Sequence, residues 1–252
     1  MGNCKVADTG TLLDRAVAAL LALRPRPDLV LVSGDLAYDG AEDEYQALRE
    51  KLGRLPMPLG VIPGNHDDRA RLRASFPIDR FAHPHPTFVQ YAVEGLPVRV
   101  LALDTLVPGQ AHGELCAERL AWLEDRLADA PERPTVLTMH HPPVVTGIDH
   151  MDAINCRNGE ALAAIVRRHP NVERILCGHL HRPIQLRWNG TLLVVAPSVA
   201  HQVTLDLRPK APAEFAMEPP AYLLHHWIEG TGLVTHQAYV EPYPGPYPFQ
   251  DG

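Results

Sequence analysis

Four times in this chain a short, uninterrupted apolar run ends abruptly at a cluster of polar residues. Leu29-Val30-Leu31-Val32 stops at Ser33-Gly34-Asp35, and Leu59-Gly60-Val61-Ile62 at Pro63-Gly64-Asn65-His66-Asp67. Residues 135–139 stop at His140-His141-Pro142-Pro143, and residues 172–177 at Gly178-His179-Leu180-His181. Runs without polar alternation are strands buried on both faces, and such strands need helices to cover them. The spacing predicts those helices. One is capped by Thr11 and carries Leu12, Leu13, Ala16, Val17, Leu20 and Leu21 at helical spacing; others follow at 42–53, 117–128 and 159–168. Segments 88–93 and 98–103 read as a hairpin turning near Gly95. After residue 183 only strand patterns remain, at 184–188, 192–195, 222–228 and 233–240. They predict a second, more antiparallel sheet packed on the first, with helices outside. The fold class is therefore α/β. Residues 1–241 read as one domain. Residues 242–252 are too rich in proline for a helix or sheet interior and read as an extended surface tail.

The carboxyl ends of parallel strands share one edge of a sheet, where ligands bind in open α/β folds. Asp35, Asn65, His66, His140, His141, His179 and His181 should thus converge, although they span most of the chain. Each cluster alone has an ordinary explanation as a turn or a structural histidine. Together they offer a carboxylate, an amide oxygen and several imidazoles, a set that suits Mn, Fe, Zn or Co. Elsewhere the histidines read more plainly. His83, His85 and His112 lie in loops and read as solvated. His169 ends a helix beside Arg167 and Arg168, and at most one of His225 and His226 can face inward from a strand.

In this order, the four clusters resemble the motifs of the calcineurin-like metallophosphoesterases. More narrowly, the chain is similar to their bacterial cyclic-nucleotide phosphodiesterase and glycerophosphodiesterase branch. Met151-Asp152 with Cys156-Arg157-Asn158-Gly159, and Pro197-Ser198-Val199-Ala200-His201-Gln202, add to the likeness. The resemblance implies a four-layer α/β/β/α sandwich with a dinuclear metal centre, often in a homo-oligomer. It implies that Asp35 bridges the metals, that Asn65, His140 and His179 complete the second, and that His181 binds the first. His66 would stand outside the ligands as a catalytic and substrate-binding group near the leaving oxygen, and His201 would contact substrate. The reaction implied is hydrolysis of small phosphodiesters, since two cations acidify a water and clamp the phosphoryl oxygens for in-line attack.

One family motif has no counterpart. The family opens with a strand ending in Asp-x-His, whereas Asp8-Thr9-Gly10 places Gly10 where the histidine belongs. Asp8-Thr9 fits better as the start of the first helix, so the opening strand is expected to be missing. The first metal then retains Asp35 and His181 alone, and the second is the better preserved. The alternative this raises is an impaired or non-catalytic homologue with one intact site, serving binding or assembly.

Composition limits the partners. A formal charge of −7 argues against a nucleic-acid polymer or an anionic membrane surface. No apolar stretch approaches the ~20 residues of a membrane span. Cys4, Cys116, Cys156 and Cys177 match no zinc or redox spacing and suggest a reducing, cytoplasmic setting.

Overall fold

The computed structural model describes residues 8–249. Its helices are α1 (Thr9–Ala22), α2 (Glu42–Leu52), α3 (Arg69–Ser75), α4 (Ala117–Ala128), α5 (Asp149–Asp152) and α6 (Gly159–Arg168). The strands of the first half are β1 (Val30–Val32), β2 (Leu59–Val61), β3 (Tyr91–Val93), β4 (Arg99–Ala102), β5 (Gly113–Glu114) and β6 (Thr135–Met139). There follow β7 (Cys156–Arg157), β8 (Val172–Cys177), β9 (Ile184–Trp188), β10 (Thr191–Val195), β11 (Gln202–Val203), β12 (Phe215–Ala216), β13 (Ala221–Ile228) and β14 (Gly232–Tyr239).

Six strands form the main sheet in the order β3-β4-β6-β8-β10-β9, parallel through its centre and antiparallel at both edges. Leu101, Leu137, Ile175 and Leu193 stand side by side across it. They face α4 and α6, where Leu123, Leu127, Leu162 and Ile165 close one core. One residue along each strand the side chains point the other way. Ala102, Leu176 and Val194 belong to a second core with Leu13 and Val17 of α1, Leu48 and Leu52 of α2, the β1-β2 pair and Leu233 of β14. A sheet buried on both faces explains the unbroken apolar runs. Two cores between four layers make the expected α/β/β/α sandwich.

Three local expectations need correction. The cap of α1 is Asp8, whose Oδ1 accepts the Thr11 amide at 3.0 Å, and Thr11 itself lies inside the helix. Residues 184–188 and 191–195 do not start a second sheet. They extend the first, because β10 runs parallel to β8 and β9 folds back on it. The second layer is instead the parallel β1-β2 pair with the β13-β14 hairpin. The leading half of the 88–93 segment is loop, and β3 begins at Tyr91. The missing opening strand concerns residues 1–7, which lie outside the described residues. Residues 242–249 are exposed and contain neither helix nor strand. Among the described residues no helix is long and apolar enough to cross a membrane.

Candidate metal centre

The loops after β1, β2, β6 and β8 meet at one edge, and glycine lets them come close. Gly34 has φ +101°, and a Cβ there would lie 2.2 Å from His140 Nδ1. A Cβ on Gly64 would lie 2.1 Å from Asp35 Oδ1. Either side chain would occupy the space the site needs. His140 Nδ1–H donates to the Ser33 carbonyl at 2.6 Å, which joins the β1 loop to the end of β6.

Asp67 ties the β1 and β2 loops together from beneath. Its Oδ2 accepts the Leu36 and Gly64 amides at 3.1 and 2.8 Å. Its Oδ1 accepts the Ala37 amide at 3.1 Å and the Tyr45 hydroxyl at 2.8 Å. Burial pushes this carboxyl's pKa up, and the hydrogen bonds to Gly64, Leu36 and Tyr45 offset that only in part.

Asp35 Oδ2 lies 3.2 Å from His140 Nε2, and Asp35 Oδ1 accepts the His66 amide at 3.3 Å. Burial alone would raise the Asp35 pKa, but His140, with His66 and His179 beyond it, holds the carboxyl well below its usual range. Burial likewise opposes protonation of His140, yet the neighbouring Asp35 carboxylate raises its pKa. Around this pair, among the described residues, stand buried polar atoms with no hydrogen-bond partner: Asn65 Oδ1, His141 Nε2, His179 Nε2 and His181 Nδ1. Unpartnered buried polar atoms are costly, and bound cations would satisfy them. Neutral imidazoles, an amide oxygen and a carboxylate are the donors such an ion takes. The chain's residues therefore fit a metal centre.

The structure brings together Asp35, Asn65, His140, His179 and His181, as the strand-end argument requires. His141, part of that strand-end set but outside the ligands the resemblance implies, stands with them. The ligating atoms of His140, His141 and His179 all lie within 4.8 Å of one another. Thr105 orients His141 through a 2.7 Å contact between its Oγ1 and Nδ1, leaving Nε2 turned toward the cluster. The adjacent histidine was visible in the sequence. Thr105, from the loop after β4, carried no mark.

The two substrate-side histidines stand on different flanks. His66 is exposed, its ring stacks on Tyr38 with centroids 5.3 Å apart, and its Nδ1 lies 2.9 Å from the Tyr38 carbonyl. That bond assigns the proton to Nδ1 and leaves Nε2 facing outward. His201 packs against His181 with ring centroids 4.9 Å apart and against Phe215 at 4.8 Å. His85 corrects an expectation: it is buried, not solvated, and its Nδ1 accepts the amides of Thr87 and Phe88. His169 is the C-cap of α6. His225 is half-buried while His226 is exposed, as strand alternation requires.

These histidines make the metal-free protein sensitive to acid. Burial, with His140 nearby, holds the His179 pKa down to about 3, and burial with His201 holds His181 at about 4. Unfolded, both titrate near 6.5. Between pH 6.5 and 4 the unfolded chain therefore binds more protons, so stability falls as pH is lowered through that window. The raised pKa of His140 acts in the opposite sense only above 6.5, where its contribution fades. Melting temperature of the chelator-treated protein should drop steadily from pH 6.5 to 4. A flat profile would show that these rings are not buried in their neutral form.

The chain matches the calcineurin-like phosphoesterase family over residues 6–183 and belongs to it. The family uses a dinuclear metal centre. Among curated relatives, the chain is 42% identical over 229 residues to a probable glycerophosphodiester phosphodiesterase of Arcobacter nitrofigilis, covering 90% of this chain and 83% of that one. It is 36% identical over 188 residues to a 3',5'-cyclic adenosine monophosphate phosphodiesterase of Escherichia coli, covering 73% and 66%. Its fold is similar to that of a dimetal phosphatase from Danio rerio, with a TM-score of 0.65 at 16% identity over 92% of this chain and 90% of that one.

Proposed function

We propose that this chain is a metal-dependent phosphodiesterase acting on small soluble diesters, of the glycerophosphodiester or cyclic-nucleotide kind. The observation that carries this reading is the Asp35–His140 pair ringed by buried ligand atoms of Asn65, His179 and His181 that have no hydrogen-bond partner among the described residues. When bound, a dinuclear centre of Mn, Fe, Zn or Co supplies Lewis-acid charge and an acidified water. Asp35 has two oxygens and, among the described residues of the site, would be the group to serve both ions. Asn65, His140 and His179 would complete one site, with His141 close beside it. His181 would serve the other, which among the described residues has fewer donors. The Ser33 carbonyl keeps the proton of His140 on Nδ1 and leaves Nε2 as the donor. His66, held by Tyr38, presents Nε2 to the substrate and in its protonated form gives that proton to the departing alkoxide. Three unpaired cysteines, Cys116, Cys156 and Cys177, suit a reducing, cytoplasmic setting.

The test is hydrolysis of glycerophosphodiesters and 3',5'-cyclic AMP by metal-loaded protein, with metal counted per chain. Turnover that vanishes with chelator and returns with metal supports the reading. A well-loaded protein inert toward both substrates sinks it in favour of a non-catalytic, metal-binding role. The role of His66 has its own signature. His66→Ala should lower kcat about 10²-fold for diesters with alkyl leaving groups, the usual scale of general acid catalysis. A p-nitrophenolate needs no proton to leave, so with that leaving group the loss should be small. Equal losses on both substrates would place His66 in binding alone.

A further inference from the structure

His140 and His141 are neighbours in sequence, and in a regular strand neighbouring side chains point to opposite faces. They escape that rule because β6 ends at Met139 and both histidines lie in the bend that follows. The result is a triangle of rings. The His141 centroid lies 4.7 Å from that of His140 and 4.6 Å from that of His179, and the third side, His140 to His179, is 5.1 Å. Solvent reaches none of the three, and His141 is 0% exposed.

In each ring one nitrogen is already committed. His140 Nδ1–H donates to the Ser33 carbonyl. For His141, Thr105 Oγ1 stands 2.7 Å from Nδ1 and also accepts the His141 amide at 3.4 Å. The Ala111 carbonyl hydrogen-bonds the same ring. Because Nε2 has no partner among the described residues, that bond falls on Nδ1, and a carbonyl can only accept. The proton of His141 is therefore on Nδ1, and Nε2 carries a bare lone pair. His179 repeats the pattern, with the Ile154 carbonyl on its ring and Nε2 unpartnered among the described residues. Packing alone does not account for His141. A buried polar atom left unsatisfied costs about 1–3 kcal/mol, and a leucine or phenylalanine would fill the space without it. The backbone is nevertheless shaped to hold the ring. A Cβ on Gly113 would lie 2.4 Å from His141 Nδ1, and Gly113 is not one of the positive-φ glycines, so what it supplies is room.

We infer that His141 is itself a metal ligand, its Nε2 closing on one ion together with those of His140 and His179. The inference rests on the metal centre of the reading above and adds a donor that the family motifs do not include. Each ring then has the arrangement that fixes a ligating imidazole, an oxygen on Nδ1 and the metal on Nε2. A third imidazole also changes which ion this half of the centre prefers. Imidazole nitrogen suits Zn, whereas carboxylate, carbonyl and water oxygens suit Mn. With Asn65 and the shared Asp35 as the remaining donors, the site selects Zn over Mn.

The test is a Zn²⁺ titration of chelator-treated protein carrying ¹⁵N-labelled histidine. Long-range ¹H–¹⁵N spectra distinguish a protonated, a bare and a metal-bound ring nitrogen, and His141→Gln assigns the His141 signals by their loss. One equivalent of Zn²⁺ per chain should turn Nε2 of His141 metal-bound along with those of His140 and His179. Zn²⁺ affinity should fall by more than about 100-fold in His141→Gln, beyond the roughly 10- to 100-fold that losing an orienting partner costs, and within that range in Thr105→Val. The ratio of Zn²⁺ to Mn²⁺ affinity, which does not depend on how much of the variant folds, should drop about tenfold in His141→Gln as an amide oxygen replaces imidazole. A His141 Nε2 that stays bare while His140 and His179 take the metal, or a ratio that His141→Gln leaves unchanged, would overturn the ligand assignment and leave the metal centre standing. Excess Zn²⁺ that moves no ring nitrogen would overturn the metal centre, and this inference with it.

Discussion

Asp35→Asn should lose about 10³-fold in kcat/KM, roughly 4 kcal/mol of transition-state stabilisation, while the protein remains folded. The substitution is chosen to change charge and little else. Asp35 has φ +54°, a left-handed conformation that asparagine adopts more readily than most residues. An amide oxygen can still accept the His66 amide bond now made to Oδ1. What disappears is the anionic donor beside His140, a group with two equivalent oxygens at the centre of the site. His140 then loses the carboxylate charge that raises its pKa, so the pKa moves down. The apo-protein should accordingly melt within a few degrees of the parent. Metal counted per chain after dialysis should fall, and activity should return in part at high metal concentration. Parent-like metal content and turnover in Asp35→Asn would remove Asp35 from the centre.

What the sequence disclosed about this site, and what it withheld, follows from the physics of each residue. The spans 117–128, 135–139, 159–168 and 172–177 are recoverable from pattern alone, because unbroken apolar runs and helical periodicity sit between strong turn signals. Sheet membership is less local. Residues 184–188 carry the same strand pattern whether they open a new sheet or fold back on β10, and only the pairing Leu193↔Leu186 decides it. The donors are legible because glycine followed by an acid or histidine at a strand end is chemically conspicuous. The groups that aim them are not. Thr105, Ser33 and Tyr38 act through a hydroxyl or a backbone carbonyl, contributions no residue type advertises. His85 misleads for the opposite reason. It lies among prolines in a loop pattern, yet two backbone amides and the contact with Phe88 bury it. Phe215 reads as one aromatic in a strand pair, and its place beside His201 depends on the chain leaving β11 after Val203 and returning to it at β12.

Asp67→Ala should cost about 4 kcal/mol of stability, since three backbone amides and one hydroxyl lose their acceptor and each such buried group costs about 1–3 kcal/mol before water compensates. For a chain of this size that corresponds to a fall in Tm on the order of 10 °C. The loss would not be confined to stability. The Leu36 and Ala37 amides fix the backbone just after Asp35, and the Gly64 amide fixes it just before Asn65, so one carboxylate sets the spacing of two donors. Metal affinity should therefore fall even in the fraction that stays folded. Asp67→Asn separates the two effects. Its amide group can turn toward Ala37 and Tyr45, where the Tyr45 hydroxyl can rotate to accept, and one amide bond alone is lost. It should give back more than half the stability and most of the metal affinity. Tyr45→Phe should cost about 2 kcal/mol, for the bond it donates to Asp67 and the one it accepts from the Asp68 amide, because Asp67 keeps its three amides. The same rank order in melting temperature and in metal dissociation constant would establish Asp67 as the joint between the β1 and β2 loops. If Asp67→Ala melted like the parent, the two loops would have to be held by the Ser33–His140 bond and the glycine contacts alone.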